Sequence, residues 1–177
     1  MRPASQLLAI LALIIPVSLQ SDTLEKEDLT LQLRGSCRYL HHGIFKVYEA
    51  SLLAPHDATT ETLLSADCPF ELHLHYLRDV KKTTVLRSAN RMLEKNLLPA
   101  QLEAISERVT QLHDTYTEIS KGDRAILRFH PKKGTTFIYK DEQRIQIRGK
   151  EFAKYYFSIW LGAKPVSPNM RDRLLNR

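Results

Sequence analysis

Two close pairs of histidines are the first residues of the sequence whose type and spacing could do chemistry. His73 and His75 are two positions apart, and His41 and His42 are adjacent. Imidazole nitrogens at such spacing could share a transition-metal ion. However, no acid or thiol obviously completes a ligand set, and His73 and His75 alternate with the apolar residues of a strand, which favours a solvated face. We therefore predict neither a metal nor a cofactor.

The serines, glycines and aromatic residues offer little further support for an enzyme. Ser36 and Ser158 have no visible base partner, and no G-x-S-x-G elbow is present, which argues against a hydrolase. The 6 glycines are spread singly, so no glycine-rich loop could cradle a phosphate. The aromatic residues between Phe152 and Trp160 could line a ligand pocket, although such a helical stripe more often belongs to a core.

Two cysteines, Cys37 and Cys68, could form a disulfide if the protein is exported. An even number of cysteines in an oxidising compartment allows one bond. Its loop of about 32 residues would stabilise the fold by roughly 3–4 kcal/mol on the chain-entropy account. The alternative is two separate buried thiols.

The first twenty residues have the pattern of a secretory signal peptide. Arg2 precedes an uncharged apolar run, Leu7–Val17, and a small, polar stretch follows it. The run is about eleven residues long, whereas a membrane-spanning helix needs about 20. We predict a signal peptide at residues 1–20, one domain at residues 21–177 and no transmembrane segment in the mature chain. A buried helix and an uncleaved membrane anchor are the alternatives.

The charge of the chain is basic but dispersed. Lys and Arg number 26 against 20 Asp and Glu, giving a net charge of +6 and a pI of about 9.4. Such a charge permits contact with anionic lipid or nucleic acid. The only adjacent basic pairs are Lys81–Lys82 and Lys132–Lys133, so the sequence favours a mildly basic solvated surface and no nucleic-acid binding.

The apolar periodicity predicts an α+β domain. Alternating apolar residues indicate strands at Leu29–Leu33, Ile44–Ala54, Phe70–Leu77, Ala125–Phe129, Thr135–Tyr139 and Arg144–Arg148. Spacings of three and four indicate helices at Val85–Leu97, Pro99–Ile119 and Glu151–Leu161, with a short helix after Pro165. The order βββ-αα-βββ-αα is typical of an antiparallel sheet with helices packed on one face.

Several segments, in this order, resemble the exported bacterial branch of the chalcone isomerase-like family. They are Gly35–Arg38, Phe45–Leu52, Tyr76–Val80, Lys121–Asp123, Phe157–Gly162 and Pro165–Pro168. The resemblance covers residues 29–175. It implies an open-faced sandwich, in which an antiparallel sheet is backed by helices with a ligand cleft between them. Together with the signal peptide, it implies a periplasmic location.

The resemblance also implies a ligand site at Arg38 and Tyr48. Plant members of the family catalyse an intramolecular ring closure, whereas non-catalytic members hold a fatty-acid carboxylate with an arginine and a tyrosine. Arg38 and Tyr48 fall at those two positions, and the isomerases have threonine at the second. The isomerases also carry a catalytic tyrosine just after the third strand, where residues 78–84 contain none. The resemblance therefore implies a non-catalytic binding domain.

The chemistry of this pair suits an amphipathic acid such as a fatty acid. A guanidinium offers a rigid fork of donors to a carboxylate, and a tyrosine hydroxyl adds another donor. An acyl chain lying along apolar side chains would gain about 0.8 kcal/mol per buried methylene. Alternatively, Arg38 lies at the surface or pairs with Asp79, and Tyr48 belongs to the core.

Two other functions remain open on the sequence. The first is an isomerase or lyase acting on an enone-type substrate, with Arg38 stabilising an oxyanion and Tyr48 acting as the acid. The second is an envelope interaction domain whose cleft is vestigial.

Overall fold

A computed structural model describes residues 30–177, so the predicted signal peptide lies outside the described residues. The elements are β1 (Gln32–His41), β2 (Phe45–Ala54), α1 (Thr60–Leu64), β3 (Phe70–Tyr76), α2 (Lys82–Asn96), α3 (Pro99–Asp114), β4 (Arg124–His130), β5 (Gly134–Tyr139), β6 (Glu142–Ile147), α4 (Lys150–Tyr156), α5 (Ser158–Leu161) and α6 (Pro168–Leu174). The strands form one antiparallel sheet in the order β1-β2-β3-β4-β5-β6. The predicted α+β class is confirmed. Within residues 30–177, no helix is both long and apolar enough to cross a bilayer.

Several element boundaries differ from the prediction. Strand β1 continues to His41 instead of ending at Leu33, because its second half pairs with β2. The link after β2 contains the short helix α1, which begins with a capping box between Thr59 and Thr62. The helix predicted at residues 151–161 is divided at Phe157 into α4 and α5.

The hydrophobic core lies against one face of the sheet, which we call the inner face. Successive side chains of a strand point to opposite faces, so the buried residues recur every second position. Leu52 on β2 pairs with Leu72 on β3, and both are fully buried. The helices cover this face. For example, Phe157, between α4 and α5, packs its ring against that of Phe70 on β3, with the centroids 4.7 Å apart. Each such side chain stabilises the fold by about 1.5–3 kcal/mol through burial.

The opposite, outer face carries polar and charged side chains, and His73 and His75 lie on it, as the sequence predicted. Glu71 accepts a hydrogen bond from His73 at 2.6 Å and contacts the Arg128 guanidinium. These hydrogen bonds, with the one from His73 the largest, lower the pKa of the Glu71 carboxyl, although desolvation opposes them. Within residues 30–177, no group of three or more His, Cys, Asp or Glu is arranged to hold a metal ion.

Gly35 allows the last helix to approach the sheet closely. A Cβ atom at Gly35 would lie only 2.0 Å from the Arg173 carbonyl oxygen at the end of α6. No side chain fits such a gap, so glycine at this position permits the contact between α6 and β1. That contact secures the C-terminal helix beside the first strand.

Candidate functional site

A cavity of about 610 Å³ opens between the inner face of the sheet and helices α2 and α5. Its volume lies within the range of about 300–1,000 Å³ that is typical of small-molecule sites. The apolar part of its wall comes from α2, α5 and the sheet, and includes Leu74, Val85, Ala89, Met92 and Ile159. The cavity thus offers an apolar volume in which a ligand could be buried.

Tyrosines from neighbouring strands form the sheet side of the cavity. Tyr48 on β2 pairs with Tyr76 on β3, and their rings meet edge to face at 5.7 Å. Tyr39 on β1 stacks on Tyr48 with centroids 5.1 Å apart. All three line the cavity, because strand alternation places them on the inner face.

The Tyr48 hydroxyl is a hydrogen-bond donor without a protein acceptor. The Nε1–H of Trp160 donates to its oxygen at 3.2 Å, and an indole nitrogen can only donate. Among residues 30–177, no group accepts the hydroxyl proton of Tyr48 in return. Burial raises the pKa of Tyr48 well above its ordinary value, so the hydroxyl keeps its proton at neutral pH. Tyr48 can therefore donate to a ligand in the cavity.

A second tyrosine pair of the cavity wall lies beside a buried histidine. Tyr116 and Tyr156 also line the cavity, and the Tyr156 hydroxyl lies 3.3 Å from Nε2 of His113. Burial raises the pKa of both tyrosines and lowers that of His113 to about 4. These groups are neutral at pH 7, so this part of the cavity wall carries polar atoms but no charge.

The mouth of the cavity is cationic. The exposed basic side chains that line it are Arg78, Lys81, Arg87 and Arg91. Among residues 30–177, Asp79 is the only acid in the lining, and its carboxylate accepts a hydrogen bond from the backbone N–H of Lys121 at 2.7 Å. Clustered cations at the opening of a low-dielectric cleft attract anions to it.

The chain matches the family model described as chalcone isomerase-like over residues 17–176. It belongs to the chalcone isomerase-like family. A fatty-acid binding protein from Arabidopsis thaliana has a similar fold, with a TM-score of 0.59 and 14% sequence identity over 84% of this chain and 85% of that one. No curated protein matches the sequence. The family and fold expected from the resemblance are therefore confirmed.

The structure of this chalcone isomerase-like protein does not bring Arg38 and Tyr48 together. Tyr48 lines the cavity, whereas Arg38 is exposed and absent from the lining. In the register of β1 and β2, Arg38 lies opposite Glu49, while its neighbour Tyr39 lies opposite Tyr48 on the inner face. Because adjacent strand residues point to opposite faces, Arg38 belongs to the outer face. Arg38 and Tyr48 therefore lie on opposite faces of the sheet.

The two cysteines are separate thiols, in place of the predicted candidate disulfide. Cys37 pairs with Ala50, which in turn pairs with Leu74 on β3. Cys68 precedes β3 and lies six residues from Leu74 along the chain, a separation of about 20 Å in an extended strand. A disulfide needs Cα atoms within about 7 Å of each other. The Cys68 thiol instead contacts the Thr62 hydroxyl at 3.6 Å.

The cavity residues that the sequence analysis missed had recognisable signals. Tyr76 shares the alternation of Leu72 and Leu74, which placed it on the inner face. Arg87 and Arg91 are four residues apart, so they follow one another along the same side of α2. Nothing in the sequence connected α2 with the tyrosines of the sheet, because that contact is made across the fold.

Proposed function

We propose that this protein is an exported, non-catalytic domain that binds a small amphipathic carboxylic acid, and specifically a fatty acid. The observation that carries the proposal is the buried Tyr48 hydroxyl, whose proton has no acceptor among residues 30–177. It lies in an apolar cavity with a cationic mouth. The structurally similar protein from Arabidopsis thaliana is a fatty-acid binding protein, which supports the same ligand class.

In this proposal, Arg78 takes the part that the resemblance gave to Arg38. A carboxylate in a cleft needs a cation as well as neutral donors, because burying an unpaired charge is costly. Arg78 lines the cavity and follows Tyr76, the cross-strand partner of Tyr48, by two residues. We place the carboxylate between the Tyr48 hydroxyl and the Arg78 guanidinium.

The acyl chain would lie along the apolar side of α2. Val85, Ala89 and Met92 recur at helical spacing and line the cavity. Each methylene buried there contributes about 0.8 kcal/mol, so affinity should rise with chain length until the cavity is full. This dependence distinguishes a fatty-acid site from a site for short polar acids.

The geometry supports binding better than isomerase or lyase chemistry. The enzyme hypothesis needs Arg38 beside the substrate, but Arg38 is exposed and does not line the cavity. It also needs Tyr48 to release a proton readily, whereas burial raises the pKa of Tyr48 well above its ordinary value. A hydroxyl that keeps its proton is a good donor to a carboxylate and a poor general acid.

Calorimetric titration of the purified protein with palmitate tests the proposal. Losing a hydrogen bond to a charged group costs about 1.5–3 kcal/mol, so Tyr48→Phe should weaken binding by about ten- to a hundredfold. Arg78→Gln should weaken it similarly, while Arg38→Gln, the matched outer-face control, should leave it unchanged. Methyl palmitate, which lacks the charge, should respond less to either cavity variant.

Three results would count against the proposal. Palmitate that fails to bind wild-type protein would exclude the ligand class, and weakening by Arg38→Gln but not by Arg78→Gln would exclude the site. Consumption of a chalcone by the same preparation, abolished by Tyr48→Phe, would instead establish catalysis. For export, we expect the protein in the periplasmic fraction, with a measured mass that lacks residues 1–20.

A further inference from the structure

We propose that the β1–β2 hairpin tip is a docking surface for an anionic phospholipid bilayer, from which the amphipathic ligand enters the cavity. The hairpin tip is the segment Leu40–Lys46, comprising the end of β1, the turn and the start of β2. The inference takes its ligand from the proposed function. The docking surface itself is argued from other residues, those of the hairpin tip.

The hairpin tip exposes apolar side chains that the core does not use. Leu40, Ile44 and Phe45 are 40%, 71% and 50% exposed. They are three of the six large hydrophobic side chains that are exposed within residues 30–177, and all three fall within the hairpin tip. Clusters of this kind mark surfaces that meet a partner or a membrane.

The hairpin tip is also part of the wall of the cavity mouth. Tyr39 and Val47, on either side of the tip, line the cavity, as does His41 within it. The Arg78 guanidinium lies over the Phe45 ring, 5.8 Å from its centroid, and also lines the cavity. A surface that receives the tip would therefore lie directly against the opening.

The charge around the hairpin tip fits an anionic bilayer. The tip contains the exposed Lys46 and no acidic residue. Arg78, one of the exposed cations of the mouth, lies against Phe45 of the tip. Apolar side chains can enter the acyl boundary while lysines and arginines beside them meet lipid phosphates. Each such cation adds to attraction by an anionic leaflet.

The bilayer is preferred to a protein partner because of what the cavity would take up. A fatty acid is held in membranes, and a mouth bordered by an apolar, cationic surface allows it to pass without crossing water. The entry needs no covalent step: the acid leaves the bilayer and its carboxylate is received by Arg78.

Vesicle co-sedimentation tests this surface. The protein is expressed from the full-length gene, and its N-terminus is determined by mass spectrometry. The vesicles are phosphatidylcholine alone, or phosphatidylcholine with phosphatidylglycerol. The docking variant is Leu40→Ser combined with Ile44→Ser, two tip residues that do not line the cavity, and the matched control is Leu98→Ser. Leu98 is 67% exposed but lies at the start of α3 and does not line the cavity.

We expect wild-type protein and the Leu98→Ser control to bind the anionic vesicles equally. The docking variant should bind about tenfold or more weakly, because two apolar side chains no longer enter the bilayer. Added salt should weaken binding of wild-type protein, because it screens the cations. Palmitate affinity in solution should be the same in all three proteins, and matching circular dichroism spectra would show that the variant is folded.

Three outcomes would overturn the docking surface. Equal vesicle binding by wild-type protein and the docking variant would exclude the hairpin tip, and an equal loss in Leu98→Ser would show a nonspecific effect. A dimer in sedimentation equilibrium that the docking variant dissociates would identify a second copy of the chain as the occupant. Vesicle binding that persists without any palmitate affinity would refute the proposed function and leave the docking surface intact.

Discussion

The buried His113 should make the stability of the protein fall as the pH is lowered from about 6.5 to about 4. Its ring packs against Tyr116 and Tyr156 at 6.0 Å between centroids. Desolvation lowers the pKa of His113 from 6.5 to about 4, with Asp114 opposing and Lys82 assisting the change. In the unfolded chain the imidazole takes up a proton near pH 6.5, whereas in the folded protein it stays neutral until about pH 4. The unfolded state therefore binds more protons in this interval and gains stability as the pH falls.

The size of this loss of stability follows from the difference between the pKa of His113 in the unfolded and in the folded protein. One pKa unit corresponds to about 1.4 kcal/mol, so the difference from 6.5 to about 4 sets a ceiling of about 3.4 kcal/mol. Residual solvent access to the ring screens part of this energy, and we expect a loss of about 2 kcal/mol. No loss from this source is expected above about pH 7.

Urea unfolding, followed by the fluorescence of the single tryptophan, Trp160, measures the effect at pH 7.5, 6, 5 and 4.5. His113→Gln should remove about 2 kcal/mol of the pH dependence, because glutamine does not titrate. His75→Gln is the matched control, since His75 is exposed on the outer face and its removal should preserve the wild-type profile. If His113→Gln loses stability in parallel with wild-type protein between pH 7.5 and 4.5, the imidazole is not the cause and the reasoning is refuted.

Three further predictions concern packing and the thiols. Gly35→Ala should destabilise the fold by about 2–3 kcal/mol in chemical denaturation, because its Cβ would displace the Arg173 carbonyl of α6; an unchanged midpoint would show that α6 can shift freely. Phe152→Ala should lower the free energy of unfolding by about 3–5 kcal/mol, because Phe152 is fully buried. A loss below about 1 kcal/mol would mean that neighbouring side chains fill the space left by the ring. Thiol titration of the unfolded, non-reduced protein should find both Cys37 and Cys68 free, whereas no reactive thiol would establish the disulfide.

Local periodicity predicted the elements because it reports which side of each element is buried. The stripe on α3 placed Ile105, Val109 and Leu112 in the core, and all three are buried. The same stripe continued beyond Asp114, where the helix ends and Ile119 instead forms a β-bridge with Val80. Apolar spacing therefore located the buried residues correctly but not the end of the helix.

The site was harder to predict because a residue's face depends on its pairing as well as on its type. The resemblance selected Arg38 by sequence position, and β1 carries register shifts at Leu33/Gly35 and at Tyr39/Leu40. An irregularity of one residue reverses which side chains face inward. The tyrosine assigned by the same resemblance lies in the cavity, and the arginine does not.

The sequence by itself determined the secondary-structure classes, the α+β fold and the family, because apolar periodicity and family segments are properties of short stretches of chain. Through the family resemblance it also pointed to Tyr48, which lines the cavity. Only the tertiary structure decided which cations line the same cavity as that tyrosine, since Arg78 and α2 reach the cavity through contacts between distant elements. It alone separated the cysteines and brought the hairpin tip to the cavity mouth. These arrangements depend on strand register and helix packing, which no single segment encodes.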